Sequence, residues 1–300
     1  MSPTFTEDRP FLWALCYRLL GDAADADEVV QETLLRAIEH PPPDTSRPWR
    51  PWLVRVAANL ARDRLRARRR RSYVGPWLPA PVPDELLDAA PTPEGRYGSR
   101  ESAGFAFLLA LEALTPTQRL VVVLRDVFEL DAAATAIALD STPGAVRVAH
   151  TKARAALAAY DAERSLPVDR ATAMALLSTF LHAVNTGDTA TAVRMLGDRV
   201  VTLNDGGGRY QAARVPVVGP LKVVQFHANL ARTASPHLRW QLAFYNGLPA
   251  VVGAVPMAEG TTAPLWVLLA DVGGDGRVHR LYAVLADRKL VRVVPPAAGE

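Results

Sequence analysis

Seven arginines stand between Arg62 and Arg71 against a single acid, Asp63. On a helix they cannot share one face, so they spread a broad positive field. Such a field suits neutralising phosphates and releasing their counterions. Just upstream, Trp49, Trp52 and Asn59 recur at spacings that bring them near one helical side. Aromatic rings beside a cationic helix can stack on unpaired bases, and asparagine can hydrogen-bond a base edge. A second basic stretch offers Arg147, Val148, Thr151 and Lys152, with Arg154 following, which mixes phosphate and base-edge chemistry. An arginine run alone is equally a solvated face, and Trp52 alone is equally core. Two separate cationic helices in one chain argue instead for a protein that grips two DNA sites.

Candidates for bond-making are sparse. His182, His227 and His279, with Asp205 and Asp287, are the groups that could do acid–base work in the C-terminal part. A lone histidine is more often a satisfied core or surface residue. The sequence presents no activated nucleophile, metal-ligand spacing or phosphate loop. Cys16 is the only cysteine, so neither an intrachain disulfide nor a cysteine-based zinc site can form, and its apolar neighbours predict a buried thiol. No catalytic residue, metal or cofactor is expected.

The elements that must position the basic residues fall into blocks. Residues 5–71 read as helix: Phe11, Leu15, Leu19 and Leu20 recur at helical spacing, Gly21-Asp22 closes the segment, and Val30, Leu34 and Ile38 stack on the next. Pro41-Pro42-Pro43 ends that second helix, and a third starts near Trp49. Residues 72–100 hold six prolines with Gly75, Gly95 and Gly98, and are expected to be an extended, partly stiff linker.

Residues 101–162 are helical again. Thr115-Pro116-Thr117-Gln118 is a capping-box start, Val121 to Phe128 is apolar, and Ala132–Leu139 leads through the turn Asp140-Ser141 to a new start at Thr142-Pro143. Helix, short turn and basic helix make a helix-turn-helix pattern. Residues 168–295 change character. Two helices (170–186 and 189–196) precede strand-like stretches at 200–204, 239–245, 251–255, 265–271 and 278–286, with a further helix near 221–232 and a hairpin signal at Gly273–Gly276. That order indicates an α+β domain. The hydrophobic fraction of 49% rules out wholesale disorder. No apolar run approaches a membrane span and the N-terminus lacks the pattern of a signal peptide, so a cytoplasmic chain is expected.

These residues resemble a known family. Asp22 through Ala37 is similar to the polymerase-binding signature of extracytoplasmic function (ECF) RNA polymerase sigma factors, Trp52 through Asp63 to their −10 recognition helix, and Leu114 through Leu157 to their −35 helix-turn-helix domain. The resemblance implies two all-α sigma domains and assigns roles. Asp25, Asp27, Glu28, Gln31, Glu32 and Leu35 would dock on core RNA polymerase, and their acids complement a basic partner surface. Trp49, Trp52, Arg55, Asn59, Arg62 and Arg66 would engage the −10 element, with the loop from His40 to Arg50 capturing a flipped base. Arg147, Val148, Thr151, Lys152 and Arg154 would read the −35 element. Departures from the family pattern fall at Ala134, where glutamate is usual, at Thr135, where an aliphatic is usual, and at His150 and Thr151.

A subgroup of these factors carries a C-terminal SnoaL-like domain, an α+β cone, with three motifs. Here they read Trp77-Leu78-Pro79-Ala80-Pro81, Asp205-Gly206-Gly207-Gly208-Arg209 and, keeping only its last two residues, Ala286-Asp287-Arg288-Lys289-Leu290. The resemblance implies that this domain contacts the sigma core through Trp77, Leu78, Pro79, Asp205–Arg209, Lys289 and Leu290 and modulates activity. A small-molecule ligand in its pocket is possible under the same analogy. Asp84, Glu85, Asp88 and Glu94 would make the linker an acidic mimic along the RNA path. Two other readings stand beside this one: a helix-turn-helix regulator with a ligand-sensing domain, and a SnoaL-type isomerase or cyclase fused to a DNA-binding module.

Overall fold

The computed structural model describes residues 5–88, 96–163, 168–256 and 258–297, and its helices begin and end where the chain supplies caps. Helix α1 (Asp8–Leu20) stops at Gly21, whose φ of 66° is the left-handed turn that closes it. Asp22 caps α2 (Ala23–Glu39) by accepting from the Asp25 amide at 3.0 Å. The prolines at 41–43 cannot continue α2, and α3 (Arg50–Arg70) carries the arginine run up to its cap at Arg71. Leu12, Leu15, Leu19, Val29, Leu53, Ala57 and Ala61 are buried among these helices. Cys16 lies with them as expected, and burial pushes its thiol up. Arg18 is buried too. It donates to Ser102 Oγ at 2.8 Å and to the Ala14 carbonyl at 3.1 Å, and desolvation lowers its pKa to about 10.

Three short helices follow, α4 (Asp84–Asp88), α5 (Ser99–Ala103) and α6 (Phe105–Ala110). The predicted capping box forms: Gln118 N donates to Thr115 Oγ1 at 3.2 Å while Thr115 N donates to Gln118 Oε1 at 2.9 Å, which starts α7 (Pro116–Val122). A π turn over Val123–Val127 buries the apolar stretch. Asp131 caps α8 (Ala132–Ala138), Thr142 caps α9 (Pro143–Ala156), and α10 (Ala158–Glu163) follows. The α8–α9 pair is the helix-turn-helix.

The C-terminal part begins with α11 (Arg170–Thr186) and α12 (Thr189–Arg194), capped by Asp169 and Asp188. A six-stranded sheet follows in the order β2-β1-β6-β5-β4-β3. Its strands are β1 (Leu196–Asp205), β2 (Val217–Val218), β3 (Arg239–Tyr245), β4 (Leu248–Ala254), β5 (Leu265–Val272) and β6 (Val278–Val284), with α13 (Pro220–Arg232) between β2 and β3. β1 and β6 pair in parallel and the other neighbours are antiparallel. Leu177, Phe180, Val223, Val200, Val251 and Leu281 form the core between helices and sheet. This is the α+β architecture expected of the SnoaL-like cone. β2 was not foreseen, because two half-exposed valines carry no readable alternation. The β3–β4 turn is Asn246-Gly247, both residues at positive φ (53° and 77°), as a two-residue hairpin requires.

The chain divides into two compact units, Met1–Ser72 with Asp84–Glu163, and Tyr73–Pro83 with Arg164–Glu300. The stretch expected as one linker, 72–100, is therefore split. Its first part belongs to the C-terminal unit, α4 belongs to the helical one, and residues 89–95, Glu94 among them, lie outside the described residues. The physical reason is apolar content. Leu78, Pro79, Ala80, Pro81 and Val82 are all buried, so this proline-rich segment is packed rather than solvated.

Candidate nucleic-acid interface and linker clamp

The outer face of α2 presents Glu28, Gln31 and Leu35 as exposed, with Asp25, Asp27 and Glu32 half-buried. Part of this acidity is already engaged. Arg64 of α3 donates to Asp25 at 3.0 Å and to Glu28 at 2.6 Å, and Glu32 pairs with Arg36 one turn on. Gln31 stands exposed on this face, beside the exposed apolar side chains of Leu35 and Ile38.

At the start of α3, its N-cap Trp49 and Trp52 stand half-buried, edge to face at 6.3 Å, with Phe5 at 5.3 Å from Trp49. The loop before them is shaped by Asp44, which accepts from Ser46 N at 3.1 Å and from its hydroxyl; these bonds lower the Asp44 pKa. Arg66 is exposed, with Asp63 at 3.6 Å. Arg55, Asn59 and Arg62 are held by groups from the turn after α8. Arg55 pairs with Asp140, Asn59 Nδ2 donates to Asp140 Oδ2 at 3.4 Å, and Arg62 donates to the Leu139 carbonyl at 3.3 Å and to Asn59 Oδ1 at 2.6 Å. Asp140 was expected only as a turn residue, with no partner foreseen for its carboxylate. Its signal was an aspartate where a turn needs positive φ, here 50°.

Helix α9 brings Arg147, Val148, Thr151 and Lys152 onto one exposed side, two pairs one turn apart. Arg154 is not among them. Its guanidinium turns inward to the Tyr97 hydroxyl and to Asp161 at 2.7 Å, so it fastens the helix to its support. Tyr97 is fully buried, and desolvation, then the bond it donates to Asp161, push its pKa up to about 12. His150, one of the departures from the family pattern, meets Asp126 at 2.7 Å on the same inner side. Thr135, another, is buried with no partner for its hydroxyl.

In the C-terminal unit the three motifs converge on Asp205, a fully buried carboxylate at the end of β1. Its Oδ1 accepts from Tyr73 OH at 2.6 Å and Gly207 N at 3.0 Å; its Oδ2 accepts from Leu78 N at 2.8 Å and Lys289 Nζ at 2.5 Å. Lys289, itself buried, also donates to the Leu78 carbonyl at 2.5 Å and sits 4.2 Å from the Trp77 ring centre and 4.9 Å from that of Tyr73. The degenerate third motif thus keeps the lysine that closes the charge. Leu290 is buried beside it, while Asp287 receives Arg209 at 2.7 Å and Tyr210 OH at 2.6 Å.

The glycines of this motif have separate reasons. A Cβ on Gly206 would stand 2.6 Å from the Tyr210 carbonyl oxygen, and Gly207 and Gly208 take φ of 60° and 76°. Further along, Val82 N donates to Asn246 Oδ1 at 2.8 Å and Asn246 N to the Val82 carbonyl at 3.0 Å, so the hairpin turn grips the far end of the segment. Tyr73 and Asn246 were missed by sequence reasoning. The Asn-Gly pair could have revealed the turn, but not what it holds.

The five groups suggested for acid–base work each have other surroundings. His182 is exposed on α11, His279 pairs with Asp275 at 2.9 Å, and Asp287 and Asp205 are engaged as above. His227 is buried, 3.3 Å from Thr202 Oγ1, and desolvation lowers its pKa to about 4.

Two outcomes follow. Lys289→Met leaves a buried carboxylate uncompensated and should destabilise the C-terminal unit by about 3–5 kcal/mol in denaturant unfolding, with much of that recovered when Asp205→Asn is added. His227, uncharged when folded, makes the unfolded chain the better proton binder between its pKa of about 4 and the ordinary 6.5. Stability should therefore fall as pH drops through that window, by at most about 3 kcal/mol. His227→Gln should flatten the slope in pH-dependent thermal melts.

Comparison with known proteins bears on both units. Residues 4–71 match the family model Sigma-70 region 2, and residues 105–157 match Sigma-70, region 4. The chain is 35% identical over 283 residues to ECF RNA polymerase sigma factor SigJ of Mycobacterium tuberculosis, covering 92% of this chain and 88% of that protein. It is 30% identical over 299 residues to ECF RNA polymerase sigma factor SigG of the same organism, covering 91% and 78%. The crystal structure of the M. tuberculosis SigJ aligns with a TM-score of 0.71 at 28% identity, over 96% of this chain and 97% of that one. A likeness that runs through the helical domains and on through the α+β domain places the whole chain in one family, the ECF RNA polymerase sigma factors.

Proposed function

We propose that this sigma factor binds core RNA polymerase through the α2 face and directs it to promoters read at two elements. Arg147, Val148, Thr151 and Lys152 of α9 read the −35 element, and Trp49, Trp52, Arg55, Asn59, Arg62 and Arg66 engage the −10 element. The observation that carries this reading is the exposed α9 quartet on a helix-turn-helix, in the same unit as the acidic and apolar face of α2. Arg154 serves as a positioning residue for α9.

The mechanism is binding without bond-making. His227 is too deeply buried and its pKa of about 4 too low for proton transfer near neutral pH, which weighs against the isomerase or cyclase alternative. Among the described residues no helix is long and apolar enough to cross a membrane, in keeping with action in the cytoplasm. The C-terminal domain modulates activity through Tyr73–Pro83, which it holds by Asp205, Lys289 and Asn246. Releasing or retaining that segment alters how much free chain joins the two helical domains.

Run-off transcription with reconstituted holoenzyme on a genomic promoter library tests the reading. Added protein should start RNA synthesis from a defined set of templates; failure to co-elute with core polymerase and to start any transcript would defeat it. Glu32→Lys should weaken co-elution while leaving the melting temperature unchanged. Arg147→Ala should cost about 1–3 kcal/mol at the −35 element if it reads bases.

A further inference from the structure

Charge is unevenly divided along the chain. Residues 164–300 carry 14 lysines and arginines against 9 acids, whereas residues 1–163, which hold both basic helices, carry 20 against 22. The excess is concentrated further. Residues 206–258 contain no aspartate or glutamate and five cations, Arg209, Arg214, Lys222, Arg232 and Arg239. Arg209 is matched by Asp287 from outside that stretch.

Helix α13 runs through the middle of the stretch and sets its cations in order. Its inner side is buried, with Val223 and Val224 in the core and His227 against Thr202 of β1 and Phe180 of α11. Lys222, Gln225, Asn229 and Arg232 are all exposed, and spacings of three, four and three residues put them on one outer side. Arg232 donates to Asn229 Oδ1, and among the described residues neither Lys222 nor Arg232 meets an acid. Arg199 of β1 lies beside the Lys222 end, because Gly219 N donates to the Val200 carbonyl at 2.9 Å. The elements packed on α13 add no competing anion. α11, α12 and β2 contain no acid, and of the two carboxylates on β1, Asp198 pairs with Arg277 at 3.4 Å and Asp205 is buried.

Charge complementarity decides what such a side fits. Lys222 and Arg232 stand about 15 Å apart along the helix at 1.5 Å per residue, which suits a partner whose negative charge repeats along a line. One strand of duplex DNA places about four phosphates in that length, at about 3.4 Å of axis each. The cations can meet phosphates, while Gln225 and Asn229 between them supply neutral groups of the kind that bond phosphate and sugar oxygens. A protein partner would call for an apolar centre, and Leu221 is the one large apolar side chain exposed on this side. A lipid surface would need the apolar side of the helix, which the core already occupies.

We propose that the outer side of α13, formed by Lys222, Gln225, Asn229 and Arg232 with Arg199 at one end, is a DNA-contacting surface of the C-terminal domain that grips the phosphate backbone of a duplex without reading its sequence. It goes beyond the promoter-reading surfaces of the helical unit and does not rest on them. The fused domain then adds a salt-sensitive hold on DNA, driven by counterion release.

Anisotropy of a fluorescein-labelled duplex of about 30 base pairs and arbitrary sequence, titrated with full-length protein from about 50 to about 200 mM salt, tests this. Lys222→Gln combined with Arg232→Gln should lower the slope of log affinity against log salt by about two and weaken binding roughly tenfold at the low-salt end. Gln225→Glu, which keeps shape and sets an anion between the cations, should weaken binding by about three- to tenfold. Gln211→Glu makes the same charge change at an exposed site outside α13 and should leave affinity and slope as they are. Melting temperatures should hold in all three, since only exposed side chains change.

An unchanged slope in the double variant would overturn the proposal. So would an equal loss from Gln211→Glu, which would reduce the effect to net charge. Single-stranded RNA of the same length, or vesicles of phosphatidylserine and phosphatidylcholine, bound more tightly than the duplex and lost with the same variants, would overturn DNA as the occupant. Co-elution with core polymerase is read separately, so failure here and failure of the sigma reading are distinguishable.

Discussion

A carboxylate removed from water must be met on all sides, and Asp205 is met by a hydroxyl, two backbone amides and an ammonium. That requirement organises the C-terminal unit. Gly207 must turn back to offer one amide, Leu78 must approach to offer another, and Lys289 must be buried to supply the charge. Once Lys289 is buried its remaining protons need acceptors and its charge needs a polarisable neighbour. The Leu78 carbonyl and the Trp77 ring provide them. Net stabilisation by such a pair is modest, because desolvating both ions offsets much of their attraction. What the pair supplies is specificity: one segment, in one register, completes the site.

The prolines around Leu78 fit the same logic. Pro79 and Pro81 have no amide to satisfy, so this extended stretch can be buried with few donors to account for, and Leu78 and Val82 find theirs in side-chain oxygens of Asp205 and Asn246. A proline-rich linker and a buried strand-like peptide are thus compatible descriptions of one sequence. The segment that joins the two helical domains in the chain is, physically, part of the fused domain. The fused domain thus holds eleven residues, Tyr73–Pro83, of the stretch that joins the two helical domains in sequence.

The helical half was legible because its signals are local. Gly21, Asp22, Thr115 with Gln118, and Thr142-Pro143 each fix a boundary within a few residues of themselves. The basic face of α9 was legible too, since helical spacing alone determines which of Arg147 to Lys152 share a side. Arg154 shows the limit of that reasoning. Period placed it near the exposed basic face, but the buried Tyr97, distant in sequence, and Asp161, seven residues on, draw its guanidinium inward. Asp140 and Asn246 were likewise readable as turn residues and unreadable as ligands for Arg55 and for the Val82 backbone. The Asp205 motif was found by resemblance; its chemistry needed Tyr73 and Lys289, which come from opposite ends of the unit.

Amide hydrogen exchange at Leu78 and Val82 in the full-length protein addresses the central claim directly, that the proline-rich segment is a folded part of the C-terminal domain. Both amides should be protected nearly as well as those in β1 and β6, opening only when the domain itself unfolds. Exchange at the rate of an unstructured peptide, while the sheet stays protected, would contradict the account.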